Sequence, residues 1–275
     1  MYKKSSSSSS SSLSLNLPPC DNEVYIVFEI GSRAKGFAVD GVSDRDIIEI
    51  TKCSPSRFME HILDDSKRLH NTHTLIRNEQ NSNIGDLVKV DLFVALRGVY
   101  TGKYYYLAAF ATRSDMNNDN LYEFVHDVAL LRLPMILHTM IKYRPKSKLP
   151  KNLLGIVYNL LYVNYCLNNN NLPNPETCKL MDLVKDLSND DGVVYNKVDT
   201  KFCADLISYN QCAKHRLQSY KDDNKYANAI EDYRNHLLDR MKSLPDKLAR
   251  REDIENAIIS NMLYGTRLPK LIVNA

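Results

Sequence analysis

The chain has 275 residues, of which 36 are Lys or Arg and 33 are Asp or Glu, giving a formal charge of +3. That balance excludes a polycationic nucleic-acid tail and a strongly acidic disordered chain, and leaves room for a local basic cleft. With 44% apolar and 25% charged residues the composition is globular, and no apolar run approaches the ~20 residues of a membrane span, so no membrane partner is expected.

Along the chain, Met1-Tyr2-Lys3-Lys4 and the eight serines Ser5–Ser12 lack the apolar stretch of a leader peptide, so residues 1–20 read as a solvated, disordered tail. Val24-Tyr25-Ile26-Val27-Phe28 has the β-branched and aromatic make-up of a buried strand. Gly31, Gly36 and Gly41 then fall within eleven residues and mark a tightly turning segment. Asp46 to Ile50 reads as a second strand, and Pro55 to Asn71 as an amphipathic helix capped by Ser54. A polar loop, Asn78 to Asn83, leads into a third strand from Ile84 to Val90. Asp91 can cap the helix that carries Leu92, Phe93, Ala95, Leu96 and Val99.

From about Leu121 onward the periodicity is helical. The expected helices are Leu121–Tyr143, Lys151–Leu167, Pro175–Leu187, Lys201–Tyr220, Asn224–Ser243 and Arg251–Leu263. The layout is α+β, with a small mixed-sheet catalytic module over residues 21–112 and an all-helical module over 113–275. The six cysteines (Cys20, Cys53, Cys166, Cys178, Cys203 and Cys212) form no CxxC pair and no zinc spacing with histidine. They read as reduced thiols in a cytoplasmic protein.

The stretch with chemical content is Phe28-Glu29-Ile30-Gly31-Ser32-Arg33-Ala34-Lys35-Gly36, followed by Ser43-Asp44-Arg45-Asp46. A strand that ends in Gly-Ser turns sharply into a short helix. The N–H groups of that turn, the Ser32 hydroxyl and the cations Arg33 and Lys35 suit a phosphate. Asp44 and Asp46 are two apart, so on a strand their carboxylates emerge on one face while Arg45 points the other way. Two such carboxylates repel unless a cation sits between them, and hard oxygen donors of this kind suit Mg²⁺ bridging to a triphosphate. The combination is the layout of two-metal phosphoryl or nucleotidyl transfer.

Gly31-Ser32-Arg33-Ala34-Lys35-Gly36-Phe37-Ala38 followed by Ser43-Asp44-Arg45-Asp46-Ile47 resembles the active-site signature of the DNA polymerase beta-like nucleotidyltransferase superfamily. Within it, the chain is similar to the predicted nucleotidyltransferases linked to RNA repair in bacteria and phages. In that resemblance Asp86-Leu87-Val88 matches a third acidic strand, Leu92 to Gly102 a following helix, and Lys151-Asn152-Leu153-Leu154 the start of a helix in the helical half. Two features depart from the family. Thr101-Gly102-Lys103 leads into three tyrosines where relatives have Lys-Gly-Asn and then Pro, and Gly155 to Leu161 offers neither the His nor the Arg found there in relatives.

The resemblance implies a Mg²⁺-dependent enzyme with two metal ions, able to use Mn²⁺ in their place, that transfers NMP from an NTP such as ATP to an acceptor hydroxyl and releases pyrophosphate. RNA is one candidate acceptor. Asp44 and Asp46 hold both metals in that scheme. Asp86 binds the ion that activates the attacking hydroxyl, and Gly31, Ser32, Arg33 and Lys35 bind the nucleotide. Asp91 is the alternative third ligand; Asp86 is preferred because a helix cap would already give Asp91 a local role. The competing expectation is a non-catalytic nucleotide- or RNA-binding protein that retains the phosphate cradle.

Overall fold

The computed structural model describes residues 24–51, 74–77, 84–103, 106, 125–126, 128–130, 132–144, 149–174, 178–189, 192–215 and 224–242. Strand β1 (Val24–Ile30) runs into a single helical turn, α1 (Gly31–Ala34), and a loop leads to β2 (Arg45–Thr51). Strands β3 (Thr74–Arg77) and β4 (Ile84–Asp91) follow, and β4 passes directly into α2 (Leu92–Tyr100). The sheet has the order β1-β2-β4-β3 and is mixed: β2 pairs antiparallel with β1 and parallel with β4, and β3 pairs antiparallel with β4.

Helices α3 (Leu133–Ile141), α4 (Pro150–Asn169) and α5 (Leu180–Leu187) come next. The hairpin β5 (Val193–Tyr195) and β6 (Val198–Asp199) is followed by α6 (Thr200–Lys214) and α7 (Asn224–Met241). The fold is α+β, as the sequence pattern implies.

Helix α4 is the axis of the helical part. Pro150 opens it, where a missing N–H costs nothing, and Asn170 closes it in the left-handed conformation. It packs against α3, α5, α6 and α7, so its side chains are buried around most of its circumference. Phe28, Ile48, Ile50 and Val90 of the sheet and Val94, Leu96 and Val99 of α2 join the same apolar cluster as Leu154, Leu161, Leu183, Leu206 and Leu237. The described core therefore runs without a break from the sheet into the helices.

Several elements differ from the sequence reading. The expected helix Leu121–Tyr143 is interrupted by a turn at Arg132, because Pro134 has no N–H and its ring excludes the carbonyl four residues back. Proline is tolerated in the first turn, and α3 starts there. Helix α5 begins at Leu180 rather than Pro175, since Lys179 is extended. Two elements lie outside the expected set: the short strand Thr74–Arg77, and the hairpin around Asn196, whose left-handed φ of 47° closes the tight turn. Asp199, the last residue of that hairpin, caps α6 by accepting from the Phe202 N–H at 2.6 Å. The expected helices Pro55–Asn71 and Arg251–Leu263 lie outside the described residues.

Candidate active site

The site forms at the edge of the sheet where β1 ends and β2 and β4 begin. Ile30 pairs with Asp46 across β1 and β2. Between β2 and β4 the register steps from Arg45↔Ile84 to Ile47↔Leu87, so Gly85 and Asp86 together oppose Asp46. This bulge aims a backbone donor at the carboxylate: the Asp86 N–H donates to Asp46 Oδ1 at 3.3 Å.

Two glycines make room for the pair. A Cβ on Gly85 would stand 2.6 Å from Asp46 Oδ1 and 2.9 Å from Asp44 Cβ, and one on Gly31 would stand 2.5 Å from Asp46 Oδ2. Gly31 also has φ +77°, a conformation that side chains rarely adopt. The glycine at the strand end thus serves the carboxylate as well as the turn.

Asp44 lies one residue before β2 and is exposed, Asp46 is half-buried, and Asp86 is exposed. Burial raises the Asp46 carboxyl above its ordinary value, the Asp86 N–H opposes that, and the neighbouring Asp44 charge adds to it. The structure thus brings Asp44 and Asp46 together around Gly85 and puts the Asp86 backbone against them. Asp91 pairs with Thr51 at the far end of the same ladder, five residues and about 17 Å along β4. Among the described residues no three His, Cys, Asp or Glu side chains close into a metal cage. Two hard carboxylates with an open side, against glycines that keep the space clear, fit a divalent cation that brings its remaining ligands as water and phosphate oxygens.

Beside the pair is a cleft of about 370 Å³, lined by Gly31, Ser32, Lys35 and Phe37 from the turn, Gly102 and Lys103 after α2, Thr139 and Tyr143 at the end of α3, and Lys151, Asn152 and Gly155 on α4. Ser32 is only 5% exposed. Lys35 Nζ also stands 5.0 Å from the Tyr158 ring centroid, a cation–π contact that steadies it at the wall. Gly102 and Lys103 after α2, and Lys151, Asn152 and Gly155 at the start of α4, bring the cations Lys103 and Lys151 to this cleft.

Arg33 is turned elsewhere. Its Nη2 donates to the Ser43 carbonyl at 2.8 Å and its Nε is 4.0 Å from Glu29, which also pairs with Arg45 at 3.4 Å. It braces the loop before Asp44 and does not line the cleft. Helix α1 is a single turn, so its dipole adds little to the charge at this edge.

The helical part grips this loop from outside. The Leu180 N–H donates to the Lys35 carbonyl at 2.9 Å, Asn210 Nδ2 to the Phe37 carbonyl at 3.5 Å, and Lys214 Nζ to Ser43 Oγ at 2.7 Å. None of these three residues carried a signal in the sequence. They sit in ordinary helical text more than 140 positions away, and only the packing of α5 and α6 brings them in.

The site and fold define an α+β chain with a paired-carboxylate sheet edge beside a lysine-lined cleft. Protein Early 65 kDa of Autographa californica nuclear polyhedrosis virus is 31% identical to the chain over 189 residues, which is 66% of this chain and 32% of that protein. The chain thus matches about a third of that relative's length. No family model matches the chain, and no solved structure matches it. Among the described residues, no helix is long and apolar enough to cross a membrane.

Proposed function

We propose that the chain is a divalent-metal-dependent nucleotidyltransferase of the DNA polymerase beta-like type, transferring NMP from an NTP to an acceptor hydroxyl. The observation that carries this reading is the convergence of Asp44 and Asp46 on the Gly31–Gly85 clearing, directly beside a cleft lined by Ser32, Lys35, Lys103 and Lys151. Asp44 and Asp46 hold the metal, Mg²⁺ or Mn²⁺, and Asp86 supplies the third carboxylate from the solvent side. When bound, the metal supplies Lewis-acid activation of the attacking hydroxyl and neutralises charge on the triphosphate.

The chain's own groups do the rest. Ser32 and the N–H groups of its turn, with Lys35, Lys103 and Lys151, orient the β- and γ-phosphates and stabilise the charge that develops on them. The acceptor hydroxyl gives up its proton to solvent, its oxygen forms the bond to the α-phosphorus as the bond to the bridging oxygen of the β-phosphate breaks, and pyrophosphate leaves along the lysines. Arg33 holds the loop that carries Asp44.

The test is transfer of label from α-³²P-NTPs with Mg²⁺ or Mn²⁺ to a panel of RNA, protein and small acceptors. Labelled product that is lost in Asp44→Asn supports the reading. NTP binding without transfer to any acceptor would favour a non-catalytic nucleotide-binding protein.

A further inference from the structure

Lys214, the last residue of α6, reaches the catalytic edge from a part of the chain that the reaction scheme above does not use. Its Nζ donates to Ser43 Oγ at 2.7 Å. Ser43 is 5% exposed, its Oγ also accepts from the Val39 N–H at 2.8 Å, and its carbonyl accepts from Arg33. The ammonium is thus fastened to the residue immediately before Asp44.

The charges facing Lys214 are those of the site itself. Burial and repulsion from Lys151 pull its pKa below the ordinary lysine value. Asp44 and Asp46 hold it up, and Arg33 lowers it further. Asp46 in turn is drawn towards its charged form by Lys151. Lys151 of α4 and Lys214 of α6 therefore both stand within electrostatic reach of two carboxylates that repel each other.

We propose that Lys214 is a positioning residue that acts as the resident counter-cation of the Asp44–Asp46 pair, steadying it while no metal is bound and opposing the entry of a divalent ion. The inference rests on the assignment of Asp44 and Asp46 to metal. A fixed positive charge beside a divalent site lowers affinity for the ion through space, and salt screens the effect because the groups are only partly buried. A lysine present only to hold the loop has no such effect: its removal loosens Asp44 and weakens metal binding.

The experiment is Mn²⁺ binding to the full chain, read from the electron paramagnetic resonance signal of free Mn²⁺ and therefore independent of turnover. Lys214→Gln, which can keep the hydrogen bond to Ser43 without the charge, is expected to bind Mn²⁺ about tenfold more tightly at low salt. The difference should shrink as ionic strength rises. Lys214→Arg, which keeps the charge, should stay within about twofold of wild type. Lys214→Met serves as a second neutral variant if the glutamine variant melts early. Unchanged or weaker Mn²⁺ binding in the folded neutral variants, with wild-type binding abolished by Asp44→Asn, overturns this inference alone. No saturable Mn²⁺ binding to wild type or to the neutral variants overturns the metal assignment and this inference with it.

Discussion

The two ends of the β2–β4 ladder are built from the same strands and do opposite things. At one end the bulge at Gly85 and Asp86 gathers carboxylates and glycines around Asp46, with Lys151 of α4 and Lys214 of α6 near by. At the other, Thr51 pairs with Asp91, the Thr51 hydroxyl donates to the Val90 carbonyl at 3.4 Å, and the chain turns at once into the buried helix α2. The first end concentrates like charges and clears space that any side chain would fill. The second satisfies the Thr51 hydroxyl locally and packs into α2. A ladder end that crowds two carboxylates beside glycine is expected to carry chemistry, and an end that packs into a helix start is expected to carry stability.

The contrast breaks most visibly at the carboxylate pair. Asp44→Asn and Asp46→Asn should each lower nucleotidyl transfer by about 10²-fold or more at saturating NTP while the melting curve stays cooperative. More than a tenth of wild-type turnover in both variants would remove the distinction between the two ends.

Next in size is the turn. Gly31→Val places a branched side chain at φ +77° and against Asp46, so it should impair both folding and NTP affinity, as read by melting temperature and equilibrium binding. Ser32→Ala should be milder and confined to affinity, since the backbone donors remain. One hydrogen bond to a charged phosphate is worth about 1.5–3 kcal/mol.

The contrast is sharpened by comparing Asp86→Asn with Asp91→Ala. The first should lose turnover several-fold at saturating Mg²⁺ with little change in melting temperature. The second, at the residue directly before α2, should cost about 1 kcal/mol of stability and leave turnover intact. The reversed pattern would move the third ligand to the far end of the ladder.

The smallest expected effect is a gain. Burial, with the Asp44 charge, raises the Asp46 carboxyl, so the folded chain holds that proton more tightly than the unfolded chain, whose value is near 3.8. Between 3.8 and the raised folded value the folded state binds more protons, and stability falls as pH rises through that window. Asp46→Asn removes this loss. It should melt roughly 1–3 °C above wild type at pH 7, and the difference should shrink towards zero as pH falls well below 3.8, where the carboxyl is protonated in both states.

Much of the near side of the site was legible from local text. Gly31-Ser32 marks the turn, Asp44 and Asp46 mark the carboxylates, and Asp86 stands on the next strand, because strand alternation and glycine chemistry act over a few residues. The role of Gly85 was not legible, since it depends on a bulge between strands some forty residues apart. The direction of Arg33 was not legible either. A cation on a phosphate-like turn has two places to go, and the Ser43 carbonyl with Glu29 draws its guanidinium away from the cleft. The helix break at Arg132 could have been read from Pro134, whose chemistry is local, and the apolar run around it hid the signal.

The sequence alone determined what can be specified by neighbours within a few positions: the strand that stops at Gly31, the paired aspartates, the start of α2 after Asp91, and the central helix opened by Pro150. Only the tertiary structure decided which cations attend the carboxylates. Lys214 meets Ser43 across 171 positions of chain, and Lys103, Lys151 and Lys35 meet at one cleft from three separate elements. A lone charged residue in a helix carries no local mark of its partner. Its position is set by the burial of the apolar faces of α4, α5 and α6, which supplies the driving force for packing and fixes where each helix end comes to rest.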